Sequence, residues 1–177
     1  MRPLVLASLV LLGACASAPP PSPEAATLIL LVRHAEKAAE PAGDPPLTEA
    51  GQARAEALAD ALMDAGVDVI VGSQYRRTTD TVAPLAARLG VEVEARPLEG
   101  NPGEAAAAVA RDLAEAYAGQ TVLVAGHSNT IPSMVNALTG LSLADLDDSD
   151  YDGLYVVVID GGGARLVRGQ VGAPDPE

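Results

Sequence analysis

Along this chain, short unbroken apolar runs alternate with segments whose apolar residues recur every three or four positions. Thr27–Val32 (TLILLV) is apolar throughout, without alternation, and predicts a central strand buried on both faces. Thr48–Ala65 places Leu58, Ala61, Leu62 and Ala65 on one helical face, and Gly66 stops it. Val67–Val71 predicts a second strand. Arg76–Leu89 predicts a helix ending before Gly90, with Pro84 as a kink or break. Val91–Ala95 predicts a third strand, Gly103–Ala118 an alanine-rich helix closed by Gly119, Thr121–Ala125 a fourth, buried strand, and Ile131–Leu138 a helix before Gly140. Leu154–Asp160 and Ala164–Arg168 flank Gly161-Gly162-Gly163 and predict a hairpin. Strands alternating with helices predict an α/β fold, a three-layer α/β/α sandwich with a mostly parallel central sheet. No internal repeat is visible.

The pattern differs at the two ends. Arg2 is the only charge before an apolar run from Leu4 to Leu12. That run is too short to span a bilayer and fits the core of a signal peptide. It closes on Leu12-Gly13-Ala14-Cys15, which resembles the bacterial lipobox, whose cysteine is lipidated and becomes the mature N-terminus. The chain is thus expected to have a signal peptide over 1–14 and a lipidated Cys15 opening a Pro/Ala-rich tether over 15–26. A folded domain over 27–170 and a flexible tail over 171–177 follow. A Pro/Ala/Ser tether is extended, at roughly 3 Å per residue where it is polyproline-like. Ala16 stands where an aspartate is linked to inner-membrane retention, so the expected place is the bacterial cell envelope, on the periplasmic face of the outer membrane.

Composition narrows the chemistry. The 177 residues carry 24 acidic and 11 basic side chains, a formal charge of −13. Nucleic-acid phosphates demand a basic footprint, so nucleic acid is excluded as the main partner. The charge also means that membrane attachment would come from the lipid alone, not from a basic patch. One cysteine excludes an internal disulfide framework and a thiolate metal cluster, and two histidines cannot form a three-histidine zinc site.

Both histidines fall directly after buried strands. The first predicted strand runs into Arg33-His34-Ala35-Glu36-Lys37, and the fourth into Gly126-His127-Ser128-Asn129-Thr130. The second is followed by Ser73 and by Arg76-Arg77. In open parallel sheets, ligands bind just past the carboxyl ends of the strands. Arginines there can fork onto phosphate oxygens, and N–H groups near Ser128–Thr130 and near Arg76 can add donors. A neutral histidine can attack phosphorus and carry the phosphoryl group. Nearby guanidinium charges would hold it neutral. Glu36 and Lys37 read as a solvated pair, with Glu36 also placed to orient Arg33. Position 130 is Thr, so the stretch around Ser128 is no Gly-x-Ser-x-Gly nucleophile elbow, and no Walker-type phosphate loop occurs.

LILLVRHAEK, PLTEAGQARAEALA, SQYRRTTDTVAPLA and VLVAGHSNTIP, taken together, resemble the histidine phosphatase superfamily, with the phosphoglycerate-mutase-like fold. The resemblance runs from about Thr27 to about Asp160. It implies that His34 is the phosphorylated nucleophile. Matching Ser73 and Thr81 to the family pattern Ser-x-x-x-Arg-x-x-x-Thr makes Arg77, not Arg76, the family arginine. Arg33, Arg77 and His127 would complete the phosphate pocket, with Ser128 or Asn129 at its edge. A carboxylate should protonate the leaving oxygen, because an alkoxide leaves poorly. The resemblance points to Glu99 for this, ahead of Glu104; the Asp that follows the second histidine in the acid-phosphatase branch is Ser128 here. No metal or cofactor is implied.

The intervals between Arg77, Glu99 and Val122 leave no room for a long lid, which favours hydrolysis over phosphoryl return to a second hydroxyl. The expected activity is hydrolysis of a small phosphorylated substrate through phosphohistidine at His34. The alternative is a non-catalytic phosphoryl-ligand binder on the same fold. Nothing in the sequence specifies an oligomeric state.

Overall fold

The computed structural model describes residues 25–174. The expected signal peptide, Cys15 and the tether up to residue 24 lie outside the described residues, as do residues 175–177. Ten elements follow in order: β1 (Thr27–Arg33), α1 (Glu49–Leu62), β2 (Val69–Gly72), α2 (Arg76–Leu89), β3 (Val93–Ala95), α3 (Pro102–Ala116), β4 (Thr121–Gly126), α4 (Thr130–Thr139), β5 (Gly153–Asp160) and β6 (Gly163–Gln170).

They form one six-stranded sheet, ordered β3-β2-β4-β1-β5-β6. β1, β2, β3 and β4 are mutually parallel, while β5 and β6 run antiparallel at one side. The sheet is therefore mostly parallel, as the alternation of runs predicts. β1 and β4 lie at its centre, and β4 is buried along its whole length. That explains their unbroken apolar sequences, since a strand covered on both faces has no polar side to alternate with.

Helices cover both faces. α1 and α2 close over Leu30, Val32, Ile70, Leu123 and Ala125. α3 and α4 close over Ile29, Leu31, Val71, Val122 and Val124. Alternate residues of one strand thus serve opposite cores, the period-two geometry of a pleated strand. The buried face of α3 is small, with Ala106 and Ala110 beside Leu113. Asn101 caps this helix by accepting from the N–H groups of Gly103 and Glu104, ahead of Pro102 in the first turn.

Pro84 does not break α2, which runs continuously through it. An interior proline costs about 3 kcal/mol of helix stability. Val82, Leu85 and Ala86 on either side of it are buried in the core, and that burial offsets the cost. The start of the expected flexible tail over 171–177 is held in place. Val171 is buried and its N–H donates to Asp152 O, while Arg54 donates to the carbonyls of Val171 and Ala173.

Register sets the site. Arg33 at the end of β1 pairs with Gly126 at the end of β4, and Gly72 at the end of β2 pairs with Ala125. The residues that follow these three ends are therefore neighbours: His34, His127 and Ser73. Gly126 is required where β4 turns into α4. A Cβ there would meet Ile131 Cδ1 at 2.7 Å and Thr130 Oγ1 at 2.8 Å.

Candidate active site

A cleft of about 350 Å³ opens above these strand ends. Arg33, His34, Arg77, His127, Ser128 and Asn129 all stand on its wall. The two imidazole rings are 5.4 Å apart, centre to centre, and inclined by 66°.

His34 is buried, and the backbone around it is fixed at two points. Its N–H donates to Gly126 O at 2.9 Å. The next N–H, of Ala35, donates to Thr81 Oγ1 at 2.9 Å, and that hydroxyl donates to Arg77 O at 2.7 Å. Thr81 thus ties the histidine loop to the backbone of Arg77. On the ring, Nδ1 lies 2.8 Å from Ala35 O. A carbonyl only accepts, so Nδ1 carries the proton and the lone pair is left on Nε2.

Burial lowers the pKa of His34 from the ordinary 6.5 to about 4; the Ala35 hydrogen bond opposes this, and the charges of Arg77, Arg33 and Lys37 add to it. The imidazole is therefore neutral at physiological pH. Burial, rather than the guanidinium charge expected from the sequence, is the larger cause.

His127 is fixed by a different route. Nε2 lies 2.9 Å from Ser73 Oγ, and Arg77 Nη2 lies 3.4 Å from Nδ1. A guanidinium only donates, so Nδ1 accepts and Nε2 carries the proton to Ser73. Ser73 Oγ passes its own proton to Thr78 Oγ1 at 3.1 Å, and Thr78 donates to Tyr75 O at 2.7 Å. Burial lowers the pKa of His127 to about 3, helped by Arg77, His34 and Arg33.

The arginines are each backed by a tyrosine. The Arg33 guanidinium lies 4.1 Å from the ring centre of Tyr151, and that of Arg77 lies 4.2 Å from the ring centre of Tyr75. Arg33 Nη1 donates to Asp147 O at 2.6 Å and to Asp150 O at 3.0 Å. The Nε atoms of Arg33 and Arg77 are buried and have no hydrogen-bond partner among the described residues. A buried guanidinium donor left unpaired is costly unless an acceptor comes to it.

Several sequence readings are revised here. Glu36 does not orient Arg33, nor is it a solvated partner of Lys37. It forms a bidentate pair with Arg54, which is largely buried. The N–H of Arg76 is not a free donor either, because it is bonded to Asp44 Oδ1, and the Arg76 side chain pairs with Asp80 on the surface. At the other junction, Asn129 and Thr130 at the start of α4 do face the cleft. Glu99 falls between Leu98 and Pro102, which line the cleft, but it is not itself part of the wall. The wall's carboxylate is Asp148, in the segment between α4 and β5. Sequence reading missed it, along with both tyrosines and Ser73 as a hydrogen-bonding partner. Tyr75 stands two residues before Arg77, which is a local signal; Asp148 and Tyr151 carry none.

The histidine phosphatase superfamily (branch 1) family model matches residues 29–98, which hold most of β1, all of α1, β2, α2 and β3, and both cleft arginines. A Nakamurella multipartitia protein described as the phosphohistidine phosphatase SixA superposes with a TM-score of 0.62 at 28% identity, over 86% of this chain and 100% of that one. Over residues 29–98 the chain is similar to the histidine phosphatase superfamily. Two further solved structures share the fold of this chain. The mycobacterial glucosyl-3-phosphoglycerate phosphatase superposes with a TM-score of 0.63 at 18% identity, over 84% of this chain and 100% of that one. The Bacillus anthracis phosphoglycerate mutase gives 0.67 at 16% identity, over 81% and 92%. No curated protein matches this chain.

Proposed function

We propose that the protein is a phosphatase that hydrolyses a small phosphorylated compound through a phosphohistidine at His34. The observation that carries this reading is the convergence of Arg33, Arg77 and His127 on one cleft with a neutral His34 imidazole whose lone pair is on Nε2. Two guanidinium groups on the cleft wall fit a dianionic phosphoryl group, and they stabilise charge that develops on it during transfer. In the first step, His34 Nε2 attacks phosphorus, the N–P bond forms and the ester P–O bond breaks. Water then attacks phosphorus, the N–P bond breaks, and inorganic phosphate leaves with the lone pair restored to Nε2.

Ser128 and Asn129, at the N-terminus of α4, are placed to meet the outer phosphate oxygens, where helix N–H groups favour anions. The departing oxygen needs a proton, and the Glu99 to which the resemblance points is not on the cleft wall.

The superfamily and the relatives named as a phosphohistidine phosphatase and a glucosyl-3-phosphoglycerate phosphatase support phosphatase chemistry. Cys15 and the tether would hold the domain at the envelope by lipid, and mass spectrometry of the N-terminal peptide tests that anchor. For the activity, hydrolysis of p-nitrophenyl phosphate is expected from the unaltered protein and not from His34→Ala. Hydrolysis that survives His34→Ala would contradict the assignment of the nucleophile.

A further inference from the structure

Asp148 is the one carboxylate on the wall of the cleft among the described residues, and the steps above give it no task. Its side chain is exposed and has no hydrogen bond or ion pair among the described residues. An ionised carboxylate beside a pocket for a dianion repels the ligand, and such like-charge contacts cost binding. A carboxyl group belongs there chemically if it trades a proton with the reacting group.

Its position is secured rather than incidental. Asp147 O and Asp150 O, on either side of Asp148, both accept from Arg33 Nη1. The Asp150 N–H returns to Asp147 O at 3.0 Å and closes the turn. Leu146 N–H donates to Ser128 O, next to His127, at 3.0 Å. Tyr151 lies against the Arg33 guanidinium. The loop bearing Asp148 is therefore fastened to the cleft by an arginine of the phosphate pocket and by the residue after the second histidine. A catalytic side chain needs such support to hold its geometry.

We propose that Asp148 is the catalytic acid of this cleft; the proposal rests on the phosphatase reading above. As His34 Nε2 bonds to phosphorus, the ester P–O bond breaks and the leaving oxygen takes the Asp148 proton. In the second step the Asp148 carboxylate takes a proton from the attacking water, the new P–O bond forms, and the N–P bond breaks. The carboxyl group is regenerated, and every proton is accounted for.

The test compares the unaltered protein, Asp148→Asn and Glu99→Gln on p-nitrophenyl phosphate and phenyl phosphate. Nitrophenolate leaves without help, whereas phenolate gains from protonation. Asp148→Asn should lower kcat/KM for phenyl phosphate about 100-fold or more while changing that for p-nitrophenyl phosphate less than about threefold. Equal losses on both substrates would overturn the proposal, since that pattern belongs to a binding or structural role. A leaving-group-dependent loss in Glu99→Gln, with none in Asp148→Asn, would overturn it too. Absence of p-nitrophenyl phosphate turnover by the unaltered protein overturns the phosphatase reading itself, a result distinct from the other two.

Discussion

Ser73 Oγ lies 2.9 Å from Nε2 of His127 and fixes the proton of that imidazole. Because Thr78 takes the proton of Ser73 in turn, the direction of the whole chain of bonds is set by the carbonyl of Tyr75 at its end. His127 therefore keeps an accepting Nδ1 toward Arg77. Ser73→Ala removes the bond to His127 along with those to Thr78 and Tyr75 N; the loss at His127, worth about 1 kcal/mol, should lower kcat/KM about fivefold with the fold intact. Steady-state kinetics beside a thermal melt would check this; an unchanged kcat/KM would contradict the role given to Ser73.

Thr81 joins the His34 loop to Arg77 through one hydroxyl. Thr81→Val keeps the shape but leaves the buried Ala35 N–H without an acceptor. A buried unsatisfied donor costs about 1–3 kcal/mol. The variant should lose that much stability in urea titration and should also lose kcat, because the peptide next to His34 is no longer held. A stability loss with unchanged kcat would show that Thr81 supports the fold alone.

Gly51 has no room for a side chain. A Cβ there would lie 2.2 Å from Glu36 O and 3.0 Å from Glu36 N. Glu36 follows the His34 loop and also accepts from Thr48 N at the start of α1. Gly51→Ala must push the two segments apart, at a cost of about 1–3 kcal/mol. For a domain of this size the melting temperature should fall roughly 2–12 °C, as scanning calorimetry would read. An unchanged melting temperature would mean that the loop yields freely.

The histidines also shape pH dependence. In the unfolded chain each takes up a proton as pH falls through 6.5, whereas in the folded protein His34 waits until about 4 and His127 until about 3. Between these values the unfolded state binds more protons, so folding stability must fall as pH drops from 6.5 toward 4. His34→Ala should flatten the dependence between pH 6.5 and 5, measured by urea midpoints. The acid limb of kcat/KM attributable to His34 should lie near 4 rather than 6.5. A His34-dependent limb near 6.5 would contradict the buried, neutral nucleophile.

Much of this site was legible because it grows from strand ends. The apolar runs that end at Arg33 and Gly126 announce central strands, and register then brings His34 and His127 together without further information. The choice of Arg77 over Arg76 was legible from its spacing to Ser73 and Thr81. What escaped depends on partners far away in sequence. Glu36 looks like a neighbour of Arg33, yet Arg54 on α1 takes it. Arg33 donates to the backbone carbonyls of Asp147 and Asp150 in the loop carrying Asp148, and no side-chain pattern marks those bonds. Pro84 misled for a related reason: the helix around it is held by core packing, which a local propensity does not register.

The most direct measurement is to trap the phosphoenzyme. The protein is mixed with a phosphodonor, quenched in alkali, and digested for mass spectrometry, since phosphohistidine is stable to base and labile to acid. The account predicts one phosphate on the peptide holding His34, absent from His34→Ala and lost on acid treatment. Turnover with an acid-stable label, or with a label on any other residue, would contradict it.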